Sequence, residues 1–127
     1  ARHRHADLFL DTLPCNAHTT ASDALWAGLP VLTCTGETFA GRVAASLVAA
    51  VGLPELIVPS LEAYEPLALD LARSPDRQRA LRARLETGRT AAALFDTSGY
   101  ARNIEAAYAR MWETWRNGQY PAAFAVE

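Results

Sequence analysis

The chain has 127 residues, half of them hydrophobic, a net charge of −2, and arginine at all twelve of its basic positions. That length and composition suit one domain with a core of ordinary size. The absence of lysine excludes a lysine nucleophile, Schiff base or lysine phosphate clamp from the segment, and the mildly acidic balance speaks against a nucleic-acid binder.

The sequence starts on alanine and enters an apolar run almost at once, so it reads as a piece of a longer protein. DLFLD (Asp7 to Asp11) is short, apolar and bounded by polar groups, as a buried strand is. ASDALWAGLP follows with helical spacing at Ala21, Ala24 and Leu25, with Gly28 as the stop and Pro30 just beyond. PVLTC (Pro30 to Cys34) predicts a second strand, ETFAGRVAASLVAAVG a helix buried on most sides and ended by Gly52, and ELIV (Glu55 to Val58) a third strand closed by Pro59. Strand, helix, strand, helix, strand with short links is the pattern of a parallel α/β sheet.

Beyond Pro59 the pattern is helical. Ser60 can cap LEAYEPLALDLARS, where Pro66 is expected to kink the helix or divide it. Ser74 or Asp76 can begin the next helix, in a region with six arginines from Arg73 to Arg89; the acids among them and the lack of interleaved aromatics predict a solvated face rather than a basic patch. The last helix places Tyr100, Ile104, Tyr108, Met111 and Trp115 on one stripe, the pattern of a helix packed across another surface. The division expected is a β-α-β-α-β unit over 1–58 and a helical tail over 59–127.

No stretch reaches the length of a membrane span, and no basic leader precedes an apolar core. Cys15 and Cys34 lie in or beside apolar segments with no metal-ligand spacing, which favours a reduced, cytoplasmic setting over a secreted disulfide scaffold.

The polar cluster in DTLPCNAHTTASDALWAG, Asp11 to Gly28, stands at the turn from the first strand into the first helix. In parallel α/β sheets ligands bind outside the carboxyl ends of the strands, and a helix N-terminus attracts anions through its free amides and dipole. Thr19 and Thr20 add hydroxyl donors and His18 a ring N–H. Asp23, one turn beyond Thr19, carries a carboxylate suited to the two hydroxyls of a ribose. Together these groups fit a nucleoside diphosphate. The competing interpretation is structural: Thr20-Ala-Ser-Asp23 has the spacing of a capping box and would then only tie off the helix. Glycine-rich dinucleotide and Walker loops are absent.

The segment from Cys15 to Ile57, with HTT-x2-D-x-LWAG followed by GET-x3-RVAAS, resembles the carboxy-terminal lobe of the O-linked N-acetylglucosamine transferase and SPINDLY family of glycosyltransferases. The tail LFDTSGYARNIEAAYARMWETWRNG resembles the end of that family, so the likeness covers nearly the whole chain. It implies a GT-B fold of two Rossmann-like lobes, of which this chain is part of the carboxy-terminal one followed by C-terminal helices, behind an amino-terminal lobe and tetratricopeptide repeats. It also implies that His18, Thr19, Thr20 and Asp23 bind the diphosphate and ribose of a UDP-sugar while Cys15 lines the sugar pocket. The reaction implied is inverting transfer to a protein Ser or Thr hydroxyl, with no cofactor and no bound metal. The catalytic residues are expected upstream of this segment, as are a phosphate-contacting lysine and a uracil-stacking histidine, so the segment alone is expected to be inactive. N-acetylglucosamine is the donor sugar expected, a SPINDLY-like fucosyl donor staying open because phosphate contacts do not read the sugar. A degenerate lobe serving as a scaffold beside helical repeats is the non-enzymatic alternative. The partners expected are the UDP-sugar, a protein or peptide acceptor and the amino-terminal lobe, with neither nucleic acid nor membrane.

Overall fold

A computed structural model describes residues 2–126. Strand β1 (Phe9–Leu10) leads into helix α1 (Thr19–Trp26), strand β2 (Val31–Cys34), helix α2 (Val43–Ala50) and strand β3 (Ile57–Val58), after which come helices α3 (Leu61–Arg73), α4 (Pro75–Gly88) and α5 (Thr97–Arg116). The strands pair in parallel in the order β1-β2-β3, Phe9 opposite Val31 and Thr33 opposite Ile57. Parallel neighbours require crossovers, and α1 and α2 supply them.

All four residues of β2 are buried, as befits a central strand covered on both faces. Val31 packs on one face with Ala21, Ala24 and Leu25 of α1 and Ala44 and Val48 of α2, and Leu81 and Leu85 of α4 complete that layer. Leu32 and Cys34 point the other way, joining Val58 beneath Ala63, Tyr64, Leu67 and Ala68 of α3. The segment after Val58 therefore builds the core itself, covering both sides of the sheet.

Several elements differ from their sequence expectations. β1 occupies only Phe9–Leu10 of the expected Asp7–Asp11: it starts opposite Val31, where β2 begins, and ends ahead of Asp11, whose carboxylate accepts from Ala17 N–H as the chain turns back. The expected strand Glu55–Val58 opens with a 3-10 turn over Pro54–Leu56, in which Leu56 N–H donates to Leu53 O at 3.0 Å, and becomes extended only at Ile57. The helix expected from Glu37 starts at Val43. Ahead of it Gly36 N–H donates to Gly41 O (2.7 Å) and Gly41 N–H to Thr38 O (3.1 Å). A Cβ on Gly41 would lie 3.0 Å from Pro14 O and 3.2 Å from Gly36 Cα, so two backbones meet at a distance that glycine permits. Pro66 neither stops nor divides α3, which runs unbroken from Leu61 to Arg73. The backbone bond that Pro66 cannot donate would go to Glu62, and both residues are exposed, so water can serve that carbonyl.

Other punctuation follows expectation. Gly28 adopts φ +80 after α1 and Gly52 φ +76 after α2, the left-handed conformation that ends helices. Ser74 is the N-cap of α4 and Pro75 stands at its start. The aromatic stripe of α5 is exposed: α5 has no buried residue, and Tyr100, Tyr108, Met111, Trp112 and Trp115 all face outward among the described residues.

Candidate functional site

The chain leaves β1 at Asp11, whose side chain is only 9% exposed. Its two carboxylate oxygens have different partners: Oδ2 accepts from the Thr33 hydroxyl on β2 at 2.7 Å, and Oδ1 accepts from Ala17 N–H at 2.7 Å. The second bond folds the 12–17 loop back over the strand end. Within the loop the Thr12 hydroxyl donates to Cys15 O (2.9 Å), and Asn16 Nδ2 donates to Thr12 O (3.0 Å). The 35–42 loop after β2 lies alongside, its Ala40 carbonyl accepting from Asn16 N–H at 2.9 Å. His18 Nε2 sits 3.4 Å from the same carbonyl, and its ring meets Phe39 edge-on at 6.3 Å between centroids.

This packing puts Cys15, His18, Thr19, Thr20 and Asp23 on the surface, all exposed, while Asp11 and Asn16 beneath them are buried. Helix α1 starts at Thr19 with His18 as N-cap, and no side chain caps it. The first bond of the helix is Ser22 N–H to His18 O, 3.1 Å, which leaves the amides of the first turn without intrahelical acceptors. The capping box expected as the structural alternative is therefore not formed, because Thr20 is already inside the helix and its hydroxyl is not a cap. Cys15 lies in the exposed loop that leads into α1, and His18, Thr19 and Thr20 stand at the helix start. Asp23, a turn further on, lines an open cleft of about 1280 Å³ with Arg2, His3, Arg4, Trp26, Arg82 and Arg89 among its walls.

Asp11, Asn16 and Phe39 had no assigned role in the sequence. The available signal was an aspartate closing an apolar strand directly before the polar loop; Asn16 and Phe39 carry no comparable local mark. Asn16 is 4% exposed, and its Oδ1 has no hydrogen-bond partner among the described residues.

Burial pushes the Tyr64 phenol up to about 12, with the Asp11 charge adding to the effect, and its hydroxyl donates to Asp11 O at 2.9 Å. Burial likewise raises the Cys34 thiol, helped by the Glu62 carboxylate, whereas Cys15 is exposed. Arginines of the 73–89 region are engaged with neighbours: Arg77 with Asp70, Arg79 with Asp76, Arg84 with Glu55, and Arg82 with Ala6 O and Asp7. Arg89 donates to Trp26 O and lies over the Trp26 ring. Among the described residues no group of three or more His, Cys, Asp or Glu is arranged to hold a metal, and no helix is long and apolar enough to cross a membrane.

The chain is similar over nearly all its length to proteins of one family. It is 45% identical over 122 residues to the probable UDP-N-acetylglucosamine-peptide N-acetylglucosaminyltransferase SEC of Arabidopsis thaliana, an alignment covering 95% of this chain and 12% of that protein. It is 38% identical to a UDP-N-acetylglucosamine-peptide N-acetylglucosaminyltransferase of Caenorhabditis elegans, over 89% of this chain and 10% of that one. A probable SPINDLY enzyme of rice, Oryza sativa subsp. japonica, is 35% identical over 91% of this chain and 12% of its own length. The chain thus spans roughly a tenth of the length of these relatives. The solved structure of a mutant O-GlcNAc transferase from Thermobaculum terrenum superposes with a TM-score of 0.81 at 37% identity, over 87% of this chain and 21% of that one. That likeness bears out the expected fold, a Rossmann-like parallel sheet of the carboxy-terminal GT-B lobe with helices following. The model of the family described as glycosyl transferase family 41 matches residues 1–104, and the chain belongs to that family.

Proposed function

We propose that this chain is the donor-binding part of a protein O-glycosyltransferase that moves a sugar, N-acetylglucosamine by preference, from a UDP-sugar to a Ser or Thr hydroxyl of a protein. His18, Thr19 and Thr20, with the free amides of α1, hold the diphosphate; Asp23, one helical turn further on, takes the ribose hydroxyls, and Cys15 borders the sugar. The observation that carries the assignment is the uncapped start of α1 at the carboxyl end of the sheet, with His18 and both threonines exposed around it. The names of the relatives, which specify UDP-N-acetylglucosamine and peptide, supply the donor and acceptor classes. In this scheme transfer is inverting and needs no metal: protein donors and the helix dipole stabilise the leaving UDP where charge develops. The reacting groups, the amino-terminal lobe and any tetratricopeptide repeats belong to the remainder of the protein, and the exposed Tyr108, Met111 and Trp115 face of α5 is where this segment meets that remainder. We further propose the division into a β-α-β-α-β unit over 1–58 and a helical tail over 59–127, and a cytoplasmic setting.

Calorimetric titration of the full-length protein with UDP, beside thermal melts, tests the donor site. Replacing His18, Thr19 or Thr20 by Ala is expected to weaken UDP binding by roughly 1.5–3 kcal/mol each, the scale of hydrogen bonds to a charged group, while the melting temperature holds. Asp23→Asn is expected to weaken binding through loss of charge-assisted bonds to the ribose. Wild-type affinity in a folded Asp23→Asn, His18→Ala double variant removes the assignment, and transfer assays with UDP-N-acetylglucosamine and a fucosyl nucleotide then separate the two donor sugars from a non-catalytic scaffold.

A further inference from the structure

The groups proposed to meet the donor are all exposed, and the turn carrying them is held from below. One hydrogen bond of that turn, from Ala17 N–H, ends on a buried carboxylate that is itself bonded to the central strand. Asp11 takes Ala17 N–H, the residue just before His18, on one oxygen and the buried Thr33 hydroxyl of β2 on the other, both at 2.7 Å. Its own carbonyl accepts from Tyr64 of α3. Thr33 is fully buried in the central strand, and Asp11 is the acceptor for its hydroxyl. One side chain therefore ties the 12–17 loop to the central strand, at the residue where the loop must deliver His18 and the first turn of α1.

We propose that Asp11 is a positioning residue for the nucleotide donor: through Ala17 N–H it sets the direction in which His18, Thr19 and the free amides of α1 face the diphosphate before the donor arrives. The proposal rests on the donor-site assignment above. A shift of about an ångström at reacting or binding groups is enough to lose much of their contribution, so a loop fixed in advance spares the ordering that binding would otherwise require. A carboxylate suits the task because it accepts in two directions at once, from the sheet and from the loop, and its bonds to neutral donors are charge-assisted.

The test uses the full-length protein, with UDP as the probe and UDP-N-acetylglucosamine as donor. Asp11→Ala is expected to raise the UDP Kd at least tenfold in the folded fraction and to raise the donor KM by more than it lowers kcat. Asp11→Asn is expected to restore UDP affinity to within threefold, since its amide oxygen can accept from Ala17 and its amino group can donate to Thr33 Oγ1. Leu85→Ala, on α4 and outside the hydrogen bonds that hold the loop, is expected to lower the melting temperature with no change in UDP affinity. Should Asp11→Ala not fold, amide exchange in the wild-type protein decides: the proposal requires Ala17 N–H to be protected without UDP, and exchange at the rate of an open loop until UDP is added overturns it. Wild-type UDP affinity in folded Asp11→Ala, beside weakened binding in His18→Ala, overturns the positioning role and leaves the donor site standing. Unchanged affinity in both variants overturns the donor site and the positioning role together, and equal losses in Asp11→Ala and Leu85→Ala reduce Asp11 to a structural residue.

Discussion

Tyr64 joins α3 to the end of β1 and to the interior of β2 through one hydroxyl, 2.9 Å from Asp11 O and 3.4 Å from Leu32 O. Its phenol is pushed up to about 12 by burial and by the Asp11 charge, against an ordinary value of 10.0, and the sign of the consequence is fixed. Below pH 10 the phenol is protonated folded and unfolded alike. Between 10 and about 12 the unfolded chain ionises while the folded one does not, so stability falls as pH rises through that window and flattens above it. Tyr64→Phe is expected to lose about 1 kcal/mol at neutral pH with the hydrogen bond, and to flatten the decline above pH 10. Denaturant titrations of both proteins at pH 8, 10 and 11 check this; parallel declines in the two would show that another group governs alkaline unfolding.

Helix α4 separates what is buried from what is charged on one element. Leu81 and Leu85 enter the core, while Arg77, Arg79 and Arg84 reach acids from exposed positions. The two kinds of contact differ in worth by the dielectric around them. Leu85→Ala is expected to cost about 2–5 kcal/mol, transfer and cavity terms together. Arg84→Ala is expected to cost less than about 1 kcal/mol, because its pair with Glu55 lies in water and is screened by salt. Chemical denaturation of the two variants side by side compares them, and equal losses would mean that α4 is held by its charges. The same pairing accounts for the solvated arginine face expected from the sequence. Helix α5 is the contrasting case: its stripe was legible as periodicity, yet the described residues leave it uncovered.

Among the described residues the three-stranded sheet has an open edge at β1 and another at β3, each strand only two residues long, and α5 adds an exposed face with the Trp112 and Trp115 ring centroids 4.8 Å apart. Open edges and large apolar patches promote association. The 127-residue chain by itself is therefore expected to self-associate or melt broadly in ultracentrifugation and calorimetry, and a monomer with one sharp cooperative transition would contradict this. By itself, the sequence determined the alternation of strands and helices, the stops at Gly28 and Gly52, the start of α4 to within Ser74 or Asp76, and the apolar face of α1. Those features are set by neighbours within a turn or two, through side-chain periodicity and backbone freedom. The polar turn from Cys15 to Thr20 was legible for the same reason, as a run of donors ahead of a helix. What only the tertiary structure decided was the length of β1 and β3, the late start of α2, the use of α3 and α4 to cover opposite sides of the sheet, and the role of Asp11. Each depends on residues far apart in sequence: Asp11 meets Thr33 and Tyr64, and Gly41 meets Pro14, only once the strands are in register. A lone aspartate after an apolar run looks the same whether it faces water or a buried hydroxyl, and the parallel pairing of β1 with β2 is what decides between them.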